Sequence, residues 1–425
     1  MESSKKVSCV LQLFTILTCF LYVLIASFAG AQTLTTLYSF TGSSDGGWPA
    51  GDLIPDAKGN LYGTTLLGGD LTCNDGSGCG TVFKLSPSGR LTVLYKFHGK
   101  SDGIGPVAVV LTPAGTLYGT TGTGGNYACE GGCGTVFKLD GTGYHLVYSF
   151  HGPDGEYPEG ALTLDSAGNM YGLTLYGANV CQNGFSCGVI FRIDPRGNEK
   201  VVHAFTGKQD GAFPSGGLFI TKGYLYGLTS EGGSNACQGY GCGTVFRFDK
   251  TGEKTVLYGF GDVPDGNYPS GYFTADGSGN IYGTTVNGGI DHCSFYEDSC
   301  GTIFELTPNA MGVWAESVLY RFSGNADEEF PVGVIRDAVS GDLYGTTARD
   351  YDCPYYPDSH CGTIFKLDTN NSMTVLYSFI GGPDGYDPGS RLLRDRSGNL
   401  YGTTVSGGLP GCLMAGCGTI YKFTP

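Results

Sequence analysis

The sequence predicts an all-β protein, a seven-bladed β-propeller with four-stranded blades in which the N-terminal strand completes the last blade. Three observations lead to this prediction. A Tyr-Gly motif recurs with spacings of 53 to 62 residues, a period typical of propellers and other repeat folds. A pair of neighbouring cysteines follows each motif, and an Asp…Pro segment joins one repeat to the next. Each of these features occurs seven times.

Each repeat contains four short strand signals separated by turn residues. In the first repeat they lie at 50–54, 61–65, 80–85 and 91–97. No window after the N-terminal segment has the apolar period of an amphipathic helix. Four antiparallel strands at this spacing are typical of a propeller blade. The Tyr-Gly motifs that mark the second strands begin at Tyr62, Tyr118, Tyr171, Tyr226, Tyr282, Tyr344 and Tyr401.

The two ends of the chain predict how the ring closes. The last repeat has only three strand signals and ends at 418–423. The missing fourth strand is found at 34–40, whose sequence closely matches the fourth strand at 373–379. Pairing of the N-terminal strand with the last strand would cover two sheet edges that are otherwise exposed. A solenoid would instead need polar caps, and the sequence has none.

The N-terminus has the pattern of a secretory signal peptide. Lys5 and Lys6 precede an apolar run at 10–28, and Ala29-Gly30-Ala31 matches a cleavage site. We therefore predict a signal peptide at 1–31 and a single propeller domain at 32–425. The alternative is an uncleaved membrane anchor. The predicted localisation is secreted or extracellular, with the cell surface and the periplasm as alternatives, and no second apolar stretch is long enough to span a membrane.

The charge balance limits the partners of the chain. The net charge is −15, and removal of residues 1–31 leaves 22 basic and 38 acidic residues, a net charge of −16. Such a protein repels nucleic acid and anionic lipid. The predicted partner is an extracellular polymer or protein, and the chain is expected to be a monomer. No cofactor is predicted, although carboxylates could attract a cation such as Ca²⁺.

The cysteines outside the signal segment form seven local pairs. An even count behind a signal peptide favours disulfides, and the repeat makes pairing within each repeat the simplest connectivity. The alternative is metal binding, but this needs ligands at regular spacing, whereas the gaps vary and no His recurs beside them. The predicted pairs are Cys73 with Cys79, Cys129 with Cys133, Cys181 with Cys187, Cys237 with Cys242, Cys293 with Cys300, Cys353 with Cys361, and Cys412 with Cys417.

The repeat resembles the GloVer tandem repeat of secreted choice-of-anchor proteins, which are mostly bacterial. The likeness is carried by the runs at 59–65 and 79–85 and by Gly68 and Gly69, and it extends over residues 32–425. The resemblance implies export and a repeat domain, but no established activity. The chain differs from the family name in having no recognisable C-terminal anchor, which leaves attachment to a cell surface open.

The long loops indicate the face on which a ligand would bind. In a four-stranded meander, the Cys loop and the crossing to the next blade lie at the same end. Each crossing carries an Asp, often with an aromatic residue directly before Pro. The ligand-face candidates are Asp45, Asp102, Asp154, Asp210, Asp265, Asp384, Trp48, Tyr157, Phe213 and Tyr268; Asp327 and Phe330 hold the same positions in the sixth crossing. The alternative is that the Asp residues form turns and the aromatic residues pack between blades.

Catalytic candidates are residues that depart from the repeat, namely Glu159, Glu328 and Arg336. Weaker candidates are Glu329, Arg391, Arg394, His98 and His151. Zinc-protease, phosphate-loop and EF-hand motifs are all missing from the sequence. The sequence therefore favours an extracellular binding or scaffold module for a glycan or a protein. The alternatives are a secreted polysaccharide hydrolase or lyase with acidic residues at the channel mouth, and a mainly structural surface protein.

Overall fold

The computed structural model describes residues 32–178, 180–181, 184–261, 263–290, 300–309, 311–324, 330–348, 353, 361–412 and 416–425. The predicted signal peptide at 1–31 lies outside these residues. Within them the regular structure consists of β-strands and two short 3₁₀ turns, Asn74–Gly76 and Cys237–Gly239. None of the described residues forms a helix that is long and apolar enough to cross a membrane. The prediction of an all-β protein is confirmed.

The strands form antiparallel meanders that follow the sequence repeats. The first contains β2 (Gly47–Pro49), β3 (Ile54–Pro55), β4 (Leu61–Leu67), β5 (Thr81–Leu85) and β6 (Leu91–Lys96), with β2 and β3 both paired to β4. The second contains β7 (Ile104–Leu111), β8 (Leu117–Thr123), β9 (Thr135–Asp140) and β10 (Gly143–Ser149). The third contains β11 (Glu156–Leu164), β12 (Met170–Tyr176), β13 (Val189–Ile193) and β14 (Glu199–Ala204). The fourth contains β15 (Ala212–Thr221), β16 (Tyr224–Glu231), β17 (Thr244–Phe248) and β18 (Lys254–Gly259).

The next two meanders are joined into one eight-stranded sheet by a single parallel residue pair, Tyr272 with Gly333. One contains β19 (Gly266–Ala275), β20 (Ile281–Gly288), β21 (Thr302–Pro308) and β22 (Trp314–Arg321). The other contains β23 (Pro331–Arg336), β24 (Leu343–Thr347), β25 (Thr363–Leu367) and β26 (Met373–Ser378).

The final sheet joins the two ends of the chain. Its strands are β27 (Leu393–Arg394), β28 (Leu400–Thr404), β29 (Thr419–Thr424) and β1 (Thr33–Ser39), in the order β27-β28-β29-β1. The register runs from Thr33 opposite Thr424 to Ser39 opposite Thr419. The predicted pairing of the N-terminal strand with the last strand is confirmed.

The Tyr-Gly motif is explained by packing inside each sheet. A Cβ atom at Gly63 would lie 2.6 Å from the ring of Phe83 on the neighbouring strand, so only glycine leaves room for the ring. The second Thr of the motif hydrogen-bonds across the sheet, as between the hydroxyls of Thr65 and Thr81 at 2.9 Å. Both threonines are fully buried. The motif therefore holds the second and third strands together with a buried ring and a buried hydroxyl pair.

Aromatic rings connect each sheet to the next. The Phe that ends one fourth strand contacts an aromatic ring on the third strand of the following sheet at 4.9 to 5.5 Å between ring centroids. The pairs are Phe97–Phe137, Phe150–Phe191, Phe205–Phe246, Phe260–Phe304, Phe322–Phe365, Phe379–Tyr421 and Phe40–Phe83. The last pair links β1 to the first meander. The core is thus a series of interfaces between sheets.

A backbone joint also recurs between neighbouring sheets. The N–H of the residue before each crossing Pro donates to the carbonyl of the second cysteine in the preceding repeat. The distances from nitrogen to oxygen are 2.9 to 3.4 Å, for Trp48 to Cys417, Gly105 to Cys79, Tyr157 to Cys133, Phe213 to Cys187, Tyr268 to Cys242, Phe330 to Cys300 and Asp387 to Cys361. The Pro ring then packs on the glycine that follows the cysteine, as Pro158 does on Gly134. The Cys-Gly and X-Pro motifs are two halves of one joint.

The disulfides follow the predicted pairing wherever both cysteines are described. The bonds join Cys73 to Cys79, Cys129 to Cys133, Cys181 to Cys187, Cys237 to Cys242, Cys353 to Cys361, and Cys412 to Cys417. Cys300 is disulfide-bonded, whereas Cys293 lies outside the described residues. Each bond closes a loop of under ten residues, which stabilises the loop by about 2 kcal/mol in a chain-entropy model.

Replacement of Gly134 by Ala tests the joint between sheets. Gly134 has a positive φ of 91°, and a Cβ there would lie 2.4 Å from Cδ of Pro158. We expect the free energy of unfolding to fall by about 3 kcal/mol, because the methyl group adds a steric clash to the backbone strain.

The control is Gly131→Ala in the same Cys loop. Gly131 also has a positive φ, but a Cβ there meets nothing within 4 Å. Gly131→Ala should lower the free energy of unfolding by only about 1 kcal/mol, because it adds the strain of a left-handed residue without a steric clash. Thermal unfolding would measure both variants, and equal losses would contradict the steric role of the joint.

Candidate functional site

Two cavities lie where the first strands of the sheets converge. The upper cavity has a volume of about 330 Å³ and is bordered by Ala50, Val107, Glu159, Gly160, Gly216, Ser270, Gly271, Tyr272, Val286, Phe330, Pro331, Val332, Ala348 and Gly389. The lower cavity has a volume of about 290 Å³ and is bordered by Asp52, Ile54, Val109, Val110, 161–164, 217–220, Tyr272, Phe273 and Arg391. Tyr272 borders both cavities.

The joints between sheets determine what borders the upper cavity. Ala50, Val107, Glu159, Ser270, Val332 and Gly389 each follow a crossing Pro directly. Close to them the backbones approach so tightly that a Cβ at Gly160 would lie 1.4 Å from the carbonyl oxygen of Gly216. A Cβ at Gly271 would lie 1.6 Å from the carbonyl oxygen of Val332. Glycine at these positions therefore allows the strands to meet around the cavity.

Glu159 is the charged side chain of the upper cavity. It lies on β11 directly after Pro158, and its residue is half-buried. No described residue donates a hydrogen bond to its carboxylate or forms an ion pair with it. Burial raises the pKa of Glu159 to about 7, because a carboxylate without a partner is poorly solvated there. The sequence selected this residue only because it departs from the repeat.

Residues directly before the crossing Pro surround the same end of the structure. All of them have a positive φ, between 51° and 62°, and they are Trp48, Gly105, Tyr157, Phe213, Tyr268, Phe330 and Asp387. This conformation is costly for residues with large side chains. It is required here because it directs each N–H toward the preceding sheet. We call these residues the pre-proline set.

The aromatic members of the pre-proline set differ in exposure. Phe330 borders the upper cavity, and Tyr157 is 45% exposed. Phe213 is only 8% exposed and contacts Tyr176 edge-on at 6.0 Å between ring centroids. Phe213 therefore packs between sheets, as one of the two interpretations expected, whereas Tyr157 is exposed to solvent. Binding of a ligand by Trp48, Tyr157, Phe213 and Tyr268 stays a prediction.

Asp387 was not among the residues singled out from the sequence. It holds the pre-proline position at which five other repeats carry an aromatic residue, and this difference was the available signal. Its N–H donates to the carbonyl of Cys361 and its carbonyl accepts from Val405. No described residue hydrogen-bonds to its carboxylate, and burial raises the pKa of Asp387 to about 6. Two carboxylates without partners thus occur at the same end of the structure.

Tyr272, which borders both cavities, contacts Asp52 and Arg391 of the lower cavity. The Tyr272 hydroxyl donates to the buried Asp52 carboxylate. Nε of Arg391 lies 3.4 Å from the same carboxylate, and the Arg391 guanidinium stacks over the Tyr272 ring at 5.5 Å. Burial raises the pKa of Asp52, and Arg391 and Tyr272 partly offset this. Asp52 and Arg391 also join the first and last meanders, so this group is already paired.

The crossing Asp residues organise their own loops. Asp102 accepts from the Tyr95 hydroxyl at 2.9 Å and from the His98 N–H at 3.0 Å. The same pair of contacts, to the ring of the fourth strand and to a backbone N–H, occurs at Asp45, Asp154, Asp210, Asp265 and Asp384. None of these Asp residues borders either cavity. A ligand role for them stays a prediction.

Asp210 has additional cationic partners. His203 lies 3.0 Å and Lys254 2.7 Å from its carboxylate. Burial opposes ionisation, but hydrogen bonds from His203 and Lys254 outweigh it and lower the pKa of Asp210. This network lies between neighbouring sheets, and Lys254 also contacts the ring of Phe205.

The remaining catalytic candidates lie away from the upper cavity or outside the described residues. Arg336 stacks over Tyr282 at 5.6 Å, and Arg394 pairs with Asp337 at 2.7 Å. His98 and His151 contact the crossing Asp residues of their own loops. Asp327, Glu328 and Glu329 are outside the described residues. The structure thus does not bring Arg336 to Glu159, and a catalytic role for either stays a prediction.

The described residues contain no group of three or more His, Cys, Asp or Glu side chains that could hold a metal ion. The upper cavity offers one carboxylate, aromatic surface and small apolar side chains. This arrangement suits a ligand with hydroxyl groups, an apolar face or a cationic group.

Sequence comparison identifies the repeat. A model of the Gloeobacter/Verrucomicrobia repeat matches residues 24–182, 129–353 and 295–425. The chain belongs to this family. The match confirms the resemblance predicted from the motifs. No curated protein sequence matches the chain significantly.

Solved structures similar to this repeat protein are distant in sequence. The extracellular domain of a predicted hybrid two-component system from B. thetaiotaomicron is 13% identical, with a TM-score of 0.52 over 93% of this chain and 42% of that one. The same domain described as a one-component system gives 12% identity, a TM-score of 0.51 and the same coverage. A gluconolactonase from Xanthomonas campestris is 10% identical, with a TM-score of 0.43 over 94% of this chain and 91% of that one. The two similarities with TM-scores above 0.5 support the all-β fold described above and nothing more specific.

Removal of the Glu159 carboxylate should change how stability depends on pH. The pKa of Glu159 is raised from 4.5 to about 7, so the folded state binds the proton of this carboxyl more tightly than the unfolded state does. The stability that this protonation provides is lost as pH rises from about 4.5 through 7. Glu159→Gln should therefore be more stable than the wild type by about 2 kcal/mol at about pH 8.

The difference should disappear near pH 4, where both states of the wild type are protonated. Denaturant unfolding at several pH values would measure it. The control is Glu156→Gln on the same strand, which removes one negative charge outside the cavity. If Glu159→Gln raised the free energy of unfolding by the same amount at every pH, this would contradict a raised pKa of Glu159 as the cause.

Proposed function

We propose that this chain is a secreted, seven-bladed β-propeller that binds an extracellular glycan at the upper cavity and acts as a binding or scaffold module. Seven blades are supported by seven sequence repeats and by the joints and ring contacts that run from sheet to sheet and return to the first. Secretion is supported by the signal-peptide pattern and by disulfides, which are typical of oxidising compartments. The proposal needs no cofactor and treats the chain as a monomer.

One observation carries the proposed ligand class. Aromatic residues of the pre-proline set lie two positions from residues that border a cavity, and this cavity holds a carboxylate that has no partner among the described residues. Aromatic surface suits the apolar faces of sugar rings, and a few polar groups fix their orientation. A volume of about 330 Å³ is at the lower end of the range of about 300–1,000 Å³ for small-molecule sites. The ligand is therefore one end or a short stretch of a glycan.

A glycan array and Tyr157→Ala test this function. Tyr157 is the exposed member of the pre-proline set. Loss of its ring should weaken glycan binding about tenfold, the effect of removing an aromatic contact of a central binding residue. The control is Tyr127→Ala, which removes an even more exposed ring, 62% accessible, from a Cys loop outside the cavity.

The two variants distinguish glycan binding at the cavity from glycan binding at the outer Cys loops. Binding that depends on Tyr127 and not on Tyr157 would move the ligand to the Cys loops. An array without any bound glycan, together with capture of a protein ligand, would contradict the glycan proposal.

A secreted polysaccharide hydrolase is the second candidate, because the pKa of Glu159 suits a general acid at neutral pH. Hydrolysis also needs a second carboxylate at a defined separation. Asp387, whose pKa is raised in the same way, is the candidate among the described residues. Release of reducing ends from polysaccharides should then be abolished by Glu159→Gln. Binding without turnover on the same polysaccharides would exclude this activity in favour of the binding module.

A further inference from the structure

The charge of the Glu159 carboxylate is not balanced by any of the described residues. Glu159 borders the upper cavity, it is half-buried, and no described residue pairs with it. The other side chains at the cavity are apolar, aromatic or a single Ser hydroxyl. A buried carboxylate that lacks a partner is unfavourable, so a ligand that supplied a positive charge would be bound strongly.

Arg391, the cation that borders the lower cavity, is already paired. Arg391 borders the lower cavity, and its guanidinium pairs with Asp52 and stacks on Tyr272. Because Tyr272 separates the two cavities, Arg391 does not border the upper one. None of the described residues that border the upper cavity is cationic, so a cationic ligand would supply the positive charge that matches Glu159.

The surroundings of Glu159 favour an organic cation over a metal ion. Ca²⁺ takes about six to eight oxygen ligands, whereas the upper cavity offers one carboxylate. The close carbonyl groups at the axis, such as that of Gly216, point at the backbone of the neighbouring strand. A primary ammonium needs fewer oxygen partners, and it also binds to aromatic faces. Tyr272 and Phe330 provide aromatic rings at the same cavity.

The second carboxylate at this end of the structure fits the same ligand. Asp387, in the pre-proline set, has no described partner for its side chain and lies two residues from Gly389 at the cavity. The net charge of −15 would attract a cationic chain from solution. Several positive charges along one ligand would therefore be favoured over a single charge.

We propose that the upper cavity binds the primary ammonium group of an amino sugar, with the Glu159 carboxylate as its partner and the aromatic rings of the cavity around it. This inference rests on the proposed glycan-binding function and specifies its ligand. The ligand class is a glycan that carries free amines, as in a de-N-acetylated polymer of β-1,4-linked glucosamine.

Three hexasaccharides with the same linkage test the inference by calorimetry on the full mature chain near neutral pH. They carry at C2 a free amine (glucosamine), an acetylated amine (N-acetylglucosamine) or a hydroxyl (glucose). The wild type should bind the free-amine ligand at least about tenfold more tightly than the other two, because only this ligand forms a charge-assisted hydrogen bond with Glu159. Glu159→Gln should lose this preference.

Glu156→Gln is the matched control, since it removes the same charge from the same strand without changing the cavity. It should keep the preference, whereas general attraction to an acidic protein would weaken equally in both variants. Thermal unfolding would verify that both variants are folded.

The other outcomes separate this inference from the function on which it rests. Equal affinity for the three hexasaccharides, or a preference that survives Glu159→Gln, would overturn the ammonium site and leave glycan binding intact. Saturable binding of Ca²⁺ alone that Glu159→Gln abolishes would also overturn it, in favour of a metal site. Failure of every hexasaccharide and of the glycan array would overturn both proposals.

Discussion

The structure depends on one backbone hydrogen bond that is repeated between neighbouring sheets. The N–H of the residue before each crossing Pro reaches the carbonyl of the second cysteine in the preceding repeat. The disulfide holds that carbonyl in a short loop, the following glycine leaves room for the Pro ring, and Pro itself fixes the start of the next strand. Cys-Gly, X-Pro and the disulfide, which look like three separate motifs in the sequence, therefore serve a single contact. The contact from Trp48 to Cys417 is the same joint, formed between the two ends of the chain.

This joint also determines where a binding site can form. It requires a positive φ at the residue before Pro, a conformation that costs about 1–2 kcal/mol for a residue with a side chain. The joint also brings that residue and the one after Pro close to the upper cavity. Because the hydrogen bond of the joint uses only backbone atoms, the side chains at these two positions can differ between repeats without weakening it. Tyr157 and Glu159 occupy these positions in one repeat, and Asp387 and Gly389 occupy them in another.

Much of the fold could be predicted from the sequence, because its signals are local. Strand spacing, the cysteine pairs and the match between residues 34–40 and 373–379 each depend on short segments, and the structure agrees with them. The site was less predictable. The crossing Asp residues were candidates for a ligand face, but their carboxylates accept from Tyr or His side chains and from N–H groups of their own loops. Tyr272, Asp52 and Asp387 were missed, because their roles depend on how the first strands of distant repeats converge. Glu159 was found only as a departure from the repeat.

A residue that departs from the repeat is interpreted differently depending on whether other residues of the protein pair with its side chain. Arg391 is unusual at its position, but Asp52 and Tyr272 pair with it, and the group holds the ends of the chain together. Glu159 has no such partner and is expected to reduce the free energy of unfolding at neutral pH, since its pKa is raised by burial. Nothing within the described protein offsets this cost. A stabilising role therefore explains Arg391 but fails for Glu159, and this difference is the reason for proposing a ligand at the cavity that Glu159 shares with Tyr272 and Phe330.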